Sequence, residues 1–311
     1  REIYSDFGYA EAVARDDNSL SYAVDLGDGY RLIVMDACIY NNDAENPEQE
    51  TGGSFNDETW AWVLDQIEQA IENGRRPIGM MHHGLVAHTS EPASSILFGD
   101  YLVADYEEKA AELADAGMNL VFTGHCHALD ATSMTTEAGN TLYDLETGSL
   151  VTSPSPIRYV TLDGDEVTYT TDTIDEVEHL DLGSADNFQD YSKQYLLDGL
   201  KQGLAYWLAV IACGDEETAT QPLMQGSDMS AVDLLANAFA AHYAGNEQMD
   251  AETQQVIAYT MSSGTEGQQL VAAVSTGLYT DPTLNDAEGV LTLNALPEPD
   301  DQPGSGGGSG G

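Results

Sequence analysis

The sequence predicts an α/β fold followed by a small helical domain. Three observations carry this. Over about the first 175 residues, short apolar runs alternate with amphipathic helical stretches. Three strand-like segments close that region, at about 140–147, 157–163 and 166–172. Beyond residue 180 the pattern changes, and apolar residues recur at helical spacing.

The elements follow in order. Residues 20–26 and 30–38 alternate as an antiparallel pair, with Gly27-Asp28-Gly29 as the hairpin turn. Residues 57–72 form an amphipathic helix whose stripe is Trp60, Val63, Leu64, Ile67 and Ile71, and Asn73-Gly74 stops it. Pro77-Ile78-Gly79-Met80-Met81 is a short buried strand. A helix over about 105–116 ends at Gly117, and Met118-Asn119-Leu120-Val121-Phe122 is a second buried strand. Gly164 turns the chain between the last two strand-like segments.

Helical patterns then cover Asn187 to Ala212, 229–244, 251–262 and 267–276. The first carries the stripe Phe188, Tyr191, Tyr195, Leu200, Leu204, Trp207 and Ile211, which is expected to be core. The division expected is 1–178 for the α/β part, 179–296 for the helical domain and 297–311 for a flexible Gly/Ser linker, natural or engineered. The helical domain is expected either to cap a site or to serve as a packing or attachment module.

Charge narrows the function classes. Against 54 Asp+Glu there are 9 Lys+Arg, a formal charge of −45, and the only lysines are Lys109, Lys193 and Lys201. Such a chain repels polyanions and anionic membranes, so nonspecific nucleic-acid binding is excluded. The acids are spread along the chain, as on an acidic surface rather than a tail. Leu204 to Cys213 is the longest apolar run and is too short for a membrane span. Cys38, Cys126 and Cys213 give no disulfide framework.

Two motifs carry chemistry: Met81-His82-His83-Gly84 and Thr123-Gly124-His125-Cys126-His127. Five of the seven histidines (82, 83, 88, 125 and 127) lie in or beside them, and each motif ends a buried strand. The carboxyl edge of an open α/β sheet is where ligands bind, and neutral imidazole is the commonest ligand of transition metals. In an extended segment His125 and His127 would point the same way. The expectation is therefore half of a metal site. Cys126 is read as a packing residue, and His179 and His242 as ordinary histidines, His242 serving as the control position in a test of activity.

Gly124-His125-Cys126-His127 resembles the Gly-His-x-His motif of the calcineurin-like metallophosphoesterases, and Met81-His82-His83-Gly84 resembles that family's earlier strand-end histidine motif. The helix between them and Asp144-Leu145-Glu146-Thr147-Gly148-Ser149 are similar to the family as well, so that the resemblance covers about residues 1–175. It implies a metallophosphoesterase-like β-sandwich flanked by helices. It also implies two divalent ions (Mn, Fe, Zn or Co), with His82 and His125 on one and His127 on the other. His83, beside a ligand, would support the metal or meet substrate. The activity implied is hydrolysis of a small phosphate ester, a phosphomonoester or phosphodiester. His88 would contact the phosphate or protonate the leaving group, or else be a loop histidine of no such role.

The chain departs from the family at its amino end. The motifs Asp-x-His, Gly-Asp-x-x-Asp and Gly-Asn-His-Asp/Glu are missing, and the chain opens on Arg1 in what reads as mid-domain. The expectation is the carboxyl-terminal portion of a longer, secreted or cell-surface bacterial enzyme, with the rest of the site upstream and little hydrolysis by this portion alone. The alternative is a noncatalytic surface or binding protein that keeps the fold. A metallo-β-lactamase-type site fits less well, because His125-Cys126-His127-Ala128-Leu129-Asp130 places the acid one residue late.

Overall fold

The computed structural model describes residues 5–40, 50–280 and 284–297. The linker expected at 297–311 therefore lies, beyond Pro297, outside the described residues, as does the chain's opening through residue 4. The strands are β1 (Ala14–Arg15), β2 (Tyr22–Leu26), β3 (Tyr30–Val34), β4 (Arg76–Met80), β5 (Leu120–Thr123), β6 (Asp130–Thr135), β7 (Thr141–Glu146), β8 (Pro156–Asp163), β9 (Glu166–Thr173) and β10 (Glu288–Thr292). The helices are α1 (Asp57–Glu72), α2 (Ala93–Leu97), α3 (Tyr106–Ala116), α4 (Phe188–Gln202), α5 (Leu204–Cys213), α6 (Glu216–Thr220), α7 (Ala231–Tyr243), α8 (Ala251–Ser263) and α9 (Glu266–Leu278).

Among the described residues the strands form two sheets. The larger is mixed, in the order β1-β2-β3-β4-β5-β7-β6. Its centre, β3-β4-β5-β7, is parallel, and β2 and β6 pair antiparallel at its flanks. The smaller sheet, β10-β9-β8, is antiparallel. Alternation along the central strands supplies two apolar faces. Ile33, Val121 and Leu142 face α1 and α3, where Val63, Ile67 and Leu113 meet them. Tyr30, Ile78, Leu120 and Leu145 face the smaller sheet, where Val167, Tyr169 and Leu291 close the layer. The α/β class is thus realised as helices on one face of a mixed sheet and a second sheet on the other.

Local chemistry sets the helix ends. The Asn56 side chain accepts from the Thr59 N–H at 2.7 Å and opens α1. Capping boxes at Ser230/Asp233 and Thr265/Gln268 open α7 and α9. Gly117, at φ 105°, closes α3.

Three differences from the sequence reading have physical causes. First, no strand is expected at β6: in Asp130-Ala131-Thr132-Ser133-Met134-Thr135 the three buried positions are Asp130, Ala131 and Thr132, too polar and small to read as an apolar run. Second, β10 lies inside the 179–296 stretch expected to be helical, yet it pairs with β9 from Glu166 to Thr170 and buries Leu291. Third, the expected continuous helix from Asn187 to Ala212 breaks at Gly203, whose φ and ψ of −126° and −109° are non-helical.

The aromatic stripe of that helix is largely not core. Leu200 is buried, but Tyr195, Trp207 and Ile211 are 71%, 61% and 74% exposed. In α5 the small residues Ala205 and Ala209 face inward instead, against a bundle with α7 and α9. By length and composition alone, the stretch Phe188–Cys213, taken across the break at Gly203, is long and apolar enough to cross a membrane.

The layer between the two sheets gives a direct test. Leu145→Ala should cost about 2–5 kcal/mol, because it empties a fully buried site. Val151→Ala, at a side chain 89% exposed, should change stability by less than about 0.5 kcal/mol. Denaturant midpoints of the two variants check this, and comparable losses would remove the two-sheet core as the source of stability.

Candidate metal centre at the sheet edge

The two histidine motifs are joined through the backbone before their side chains meet. Past the ends of β4 and β5, the Met81 N–H donates to the Phe122 carbonyl and the Gly124 N–H to the His82 carbonyl, both at 3.0 Å. This parallel zipping delivers both motifs to one carboxyl-terminal edge. The ring centroids of His82 and His125 lie 4.5 Å apart, those of His83 and His125 4.8 Å and those of His82 and His83 5.5 Å. The Tyr101 ring lies 4.4 Å from that of His125 on the other side.

His125 and His127 reach the edge differently from the expectation. Both have left-handed backbones, at φ 84° and 64°, so the segment is not extended and simple alternation does not aim them. Non-glycine residues adopt this region at a cost and persist there when their surroundings hold them. His127 is exposed, with Nδ1 3.4 Å from the Thr152 hydroxyl.

A loop that the sequence reading passed over completes the cluster. The Thr51 carbonyl oxygen lies 3.0 Å from Nε2 of His83 and 3.1 Å from Nε2 of His125. Gly53 lies flat on the His83 ring, where a Cβ would come within 2.6 Å of Cγ. Only glycine allows that approach. The signal in the sequence was the pair Gly52-Gly53.

The imidazoles of His82 and His125 are held neutral. Burial, then His82 and His83, lower the His125 pKa to about 4. Burial, then His83 and His127, lower that of His82. Neutral nitrogens suit a transition metal. Among the described residues, however, no three of their donor atoms come within 4.8 Å of one another, and no carboxylate joins them in such a set.

Beside the edge is a cavity of about 210 Å³, walled by Phe98, Tyr101, Leu204, Leu208, Phe239 and Tyr243 and reached by His125 and His127. The helical part supplies Leu204, Leu208, Phe239 and Tyr243 of that wall. Cys126 packs against the same apolar helices, as expected. Burial, then Glu146, push its thiol well above the ordinary range.

His88 is elsewhere. It is buried below the edge, with Nδ1 2.8 Å from Asp130 Oδ1 and Nε2 3.5 Å from Asp144 Oδ1. The carboxylates draw it inward, which corrects its expected place against a substrate in the cleft. Burial alone lowers its pKa, but Asp130 and Asp144 together raise it well above the ordinary value. Asp144, fully buried, accepts from the Leu85 N–H at 2.9 Å, the Val86 N–H at 3.1 Å and the Thr123 hydroxyl at 2.5 Å. Burial pushes the Glu146 carboxyl up to about 8, against the nearby His88 and with Asp130 and Asp144 adding to the rise. His242, read as an ordinary histidine and a control, is buried against Asp130 and Glu247, so the control position passes to the exposed His179.

The raised pKa of Glu146 has a definite sign. A carboxyl whose folded pKa of about 8 exceeds its ordinary 4.5 binds its proton more tightly when folded. Its stabilisation is complete below pH 4.5 and is lost as pH rises through about 8. His88, also raised, acts in the same direction above its ordinary value of 6.5. Stability, and with it melting temperature, should therefore fall as pH rises from about 4.5 to about 8, by up to about 1.4 kcal/mol per pH unit for one proton. Glu146→Gln, which keeps the neutral shape, should flatten that fall. Parallel melting curves for the two proteins across this range would show that Glu146 is not the proton-linked group.

No protein-family model matches the chain, and comparison with curated proteins finds no match.

Proposed function

We propose that the strand-edge histidines supply the nitrogen side of a transition-metal centre that hydrolyses small phosphate esters, in the manner of the calcineurin-like metallophosphoesterases. The observation that carries this reading is the meeting of His82, His83 and His125 at the carboxyl edge of two parallel strands, with the pKa values of His82 and His125 depressed. The two packed sheets are compatible with the sandwich of that family.

The donor chemistry fits one part of a two-ion centre. His82 and His125 would hold one ion and His127 the other, and Mn, Fe, Zn or Co suits imidazole better than Mg or Ca does. The bridging carboxylate of a two-ion centre is not among the described residues at this edge. When bound, such ions supply Lewis acidity to phosphoryl oxygens. The chain's own residues hold and orient. Tyr101 packs on the His125 ring, the Thr51 carbonyl fixes Nε2 of His83 and His125, and the adjoining aromatic cavity would take the alcohol side of an ester. A formal charge of −45 selects against polyanionic substrates. A secreted or cell-surface setting is part of the same proposal.

A second reading is a metal- or ligand-binding protein without turnover. It is favoured by the lack, among the described residues, of a carboxylate grouped with the imidazoles.

Hydrolysis of p-nitrophenyl phosphate separates the two. The expected result is slow, metal-stimulated turnover, below the ordinary range of about 1–1000 per second. Chelation should abolish it, and manganese, zinc or cobalt should restore it. His125→Ala and His127→Ala should each lower the rate by about 100-fold or more with the fold intact, while His179→Ala leaves it unchanged. Metal uptake without turnover would favour the binding protein. A chelator-insensitive rate, or equal rates in His127→Ala and His179→Ala, would remove these histidines from the chemistry.

A further inference from the structure

A different group of side chains, on the far side of the buried carboxylates, has the spacing of a metal site. Asp130 opens β6, His242 lies in the last turn of α7, and Glu247 follows that helix. Their donor atoms lie within 4.8 Å of one another. Nδ1 of His242 is 3.3 Å from Glu247 Oε1 and 3.6 Å from Asp130 Oδ2.

An ion-paired histidine accounts poorly for these distances. One Nδ1–H cannot serve two carboxylates at once. Both separations also exceed the roughly 2.7–2.9 Å of a charge-assisted hydrogen bond. They do match the edge of a coordination tetrahedron, since bonds of about 2.0–2.1 Å set donor–donor distances of about 3.3–3.4 Å.

Burial gives an independent indication. Asp130 is fully buried, and its Oδ2, which faces His242, has no hydrogen-bond partner. Leaving a buried carboxylate oxygen unpaired is costly. The other oxygen, Oδ1, is bonded to His88 at 2.8 Å, which fixes the carboxylate's orientation as an outer partner fixes a metal ligand. Next to His242 a small cavity of about 10 Å³ is lined by His88 and Glu146, whose Nε2 and Oε2 also have no hydrogen-bond partner. An open coordination position or its water would face these two atoms.

The chain is shaped to bring the three residues together. Gly245, at φ 59°, passes so close to the strand that a Cβ would stand 2.6 Å from the Leu129 carbonyl oxygen. That approach places Glu247 beside Asp130. A groove of about 430 Å³ lined by Gly245, Glu247, Asn285 and Asp286 opens beside Glu247, whose side chain retains 8% exposure.

We propose that Asp130, His242 and Glu247 bind one first-row divalent cation, zinc by donor set, which ties the helical layer to the edge of the sheet. This site is distinct from the strand-edge histidines and does not depend on their role. Two carboxylates and one imidazole, with a fourth position open, is a donor set that zinc accepts.

The test removes the other nitrogens first. The full chain carrying His82→Ala, His125→Ala and His127→Ala together is titrated with Zn²⁺ by calorimetry and with Co²⁺ by visible absorption. One equivalent should bind, melting temperature should rise with free zinc, and cobalt should give the intense bands of a low-symmetry site. Adding Glu247→Gln should weaken binding by about 10-fold or more. Asp130→Asn should weaken it further, but its burial puts folding at risk, so Glu247→Gln at the rim carries the decision. Circular dichroism confirms the fold of each variant. If the triple variant does not fold, the same Glu247→Gln comparison is made in the parent chain, where one of its bound equivalents should be weakened. Folded protein that binds no zinc, or equal affinity with and without Glu247→Gln, overturns the proposal.

Discussion

The edge of the larger sheet is organised around one buried carboxylate. Asp144, on β7, takes hydrogen bonds from two backbone amides of the loop after His83 and from the hydroxyl of Thr123 at the end of β5. Three segments far apart in sequence are thereby locked together. An unpaired charge there would be strongly unfavourable, and several donors aimed at it make the burial tolerable. Because Leu85, Val86 and Thr123 flank the two histidine motifs, holding Asp144 also holds the motifs in register. The imidazoles meet as a consequence of that clamp as much as of their own contacts.

Beneath the clamp, charge is concentrated in a way that needs explanation. Asp130, Asp144 and Glu146 are all fully buried. His88 stands between them as the nearest cation, while Arg158 spends its guanidinium on the carbonyls of Asp130, Glu146 and Asp286. The raised pKa of His88 and that of Glu146 are two responses to the same crowding: one group gains a proton's charge and the other loses its own. A buried network of this kind is costly where partly satisfied. Of the orphaned atoms, Asp130 Oδ2 faces His242, where a cation would offset the carboxylate's charge.

The helical part is more than an appendage in this arrangement. Its helices wall the cavity beside His125 and His127, His242 reaches Asp130, and the chain then returns as β10 to complete the smaller sheet. That return lets the helical segment be inserted between two strands of one sheet, so its docking is tied to the core rather than to a linker. The outer face of α4 and α5 remains apolar and exposed, because close packing against α7 and α9 uses the alanines and leaves the aromatics outside.

The sequence by itself determined the elements whose chemistry is local. Helix α1 runs over the expected residues because its apolar period and Asn56 cap are written in consecutive positions. The same holds for the β2–β3 hairpin and for β8–β9 around Gly164. The strand-end position of His82, His83, His125 and His127 was also legible, since each motif directly follows a short buried run. What only the tertiary structure decided depends on contacts across long separations. The Thr51 carbonyl lies 32 residues from His83 and 74 from His125, and Asp144 lies 59 from Leu85. No period or turn signal encodes such pairings. For the same reason the sequence left His88 open between substrate contact and a loop histidine, and His242 read as an ordinary histidine: their partners, Asp130, Asp144 and Glu247, come from strands and a helix end that only the folded chain brings beside them.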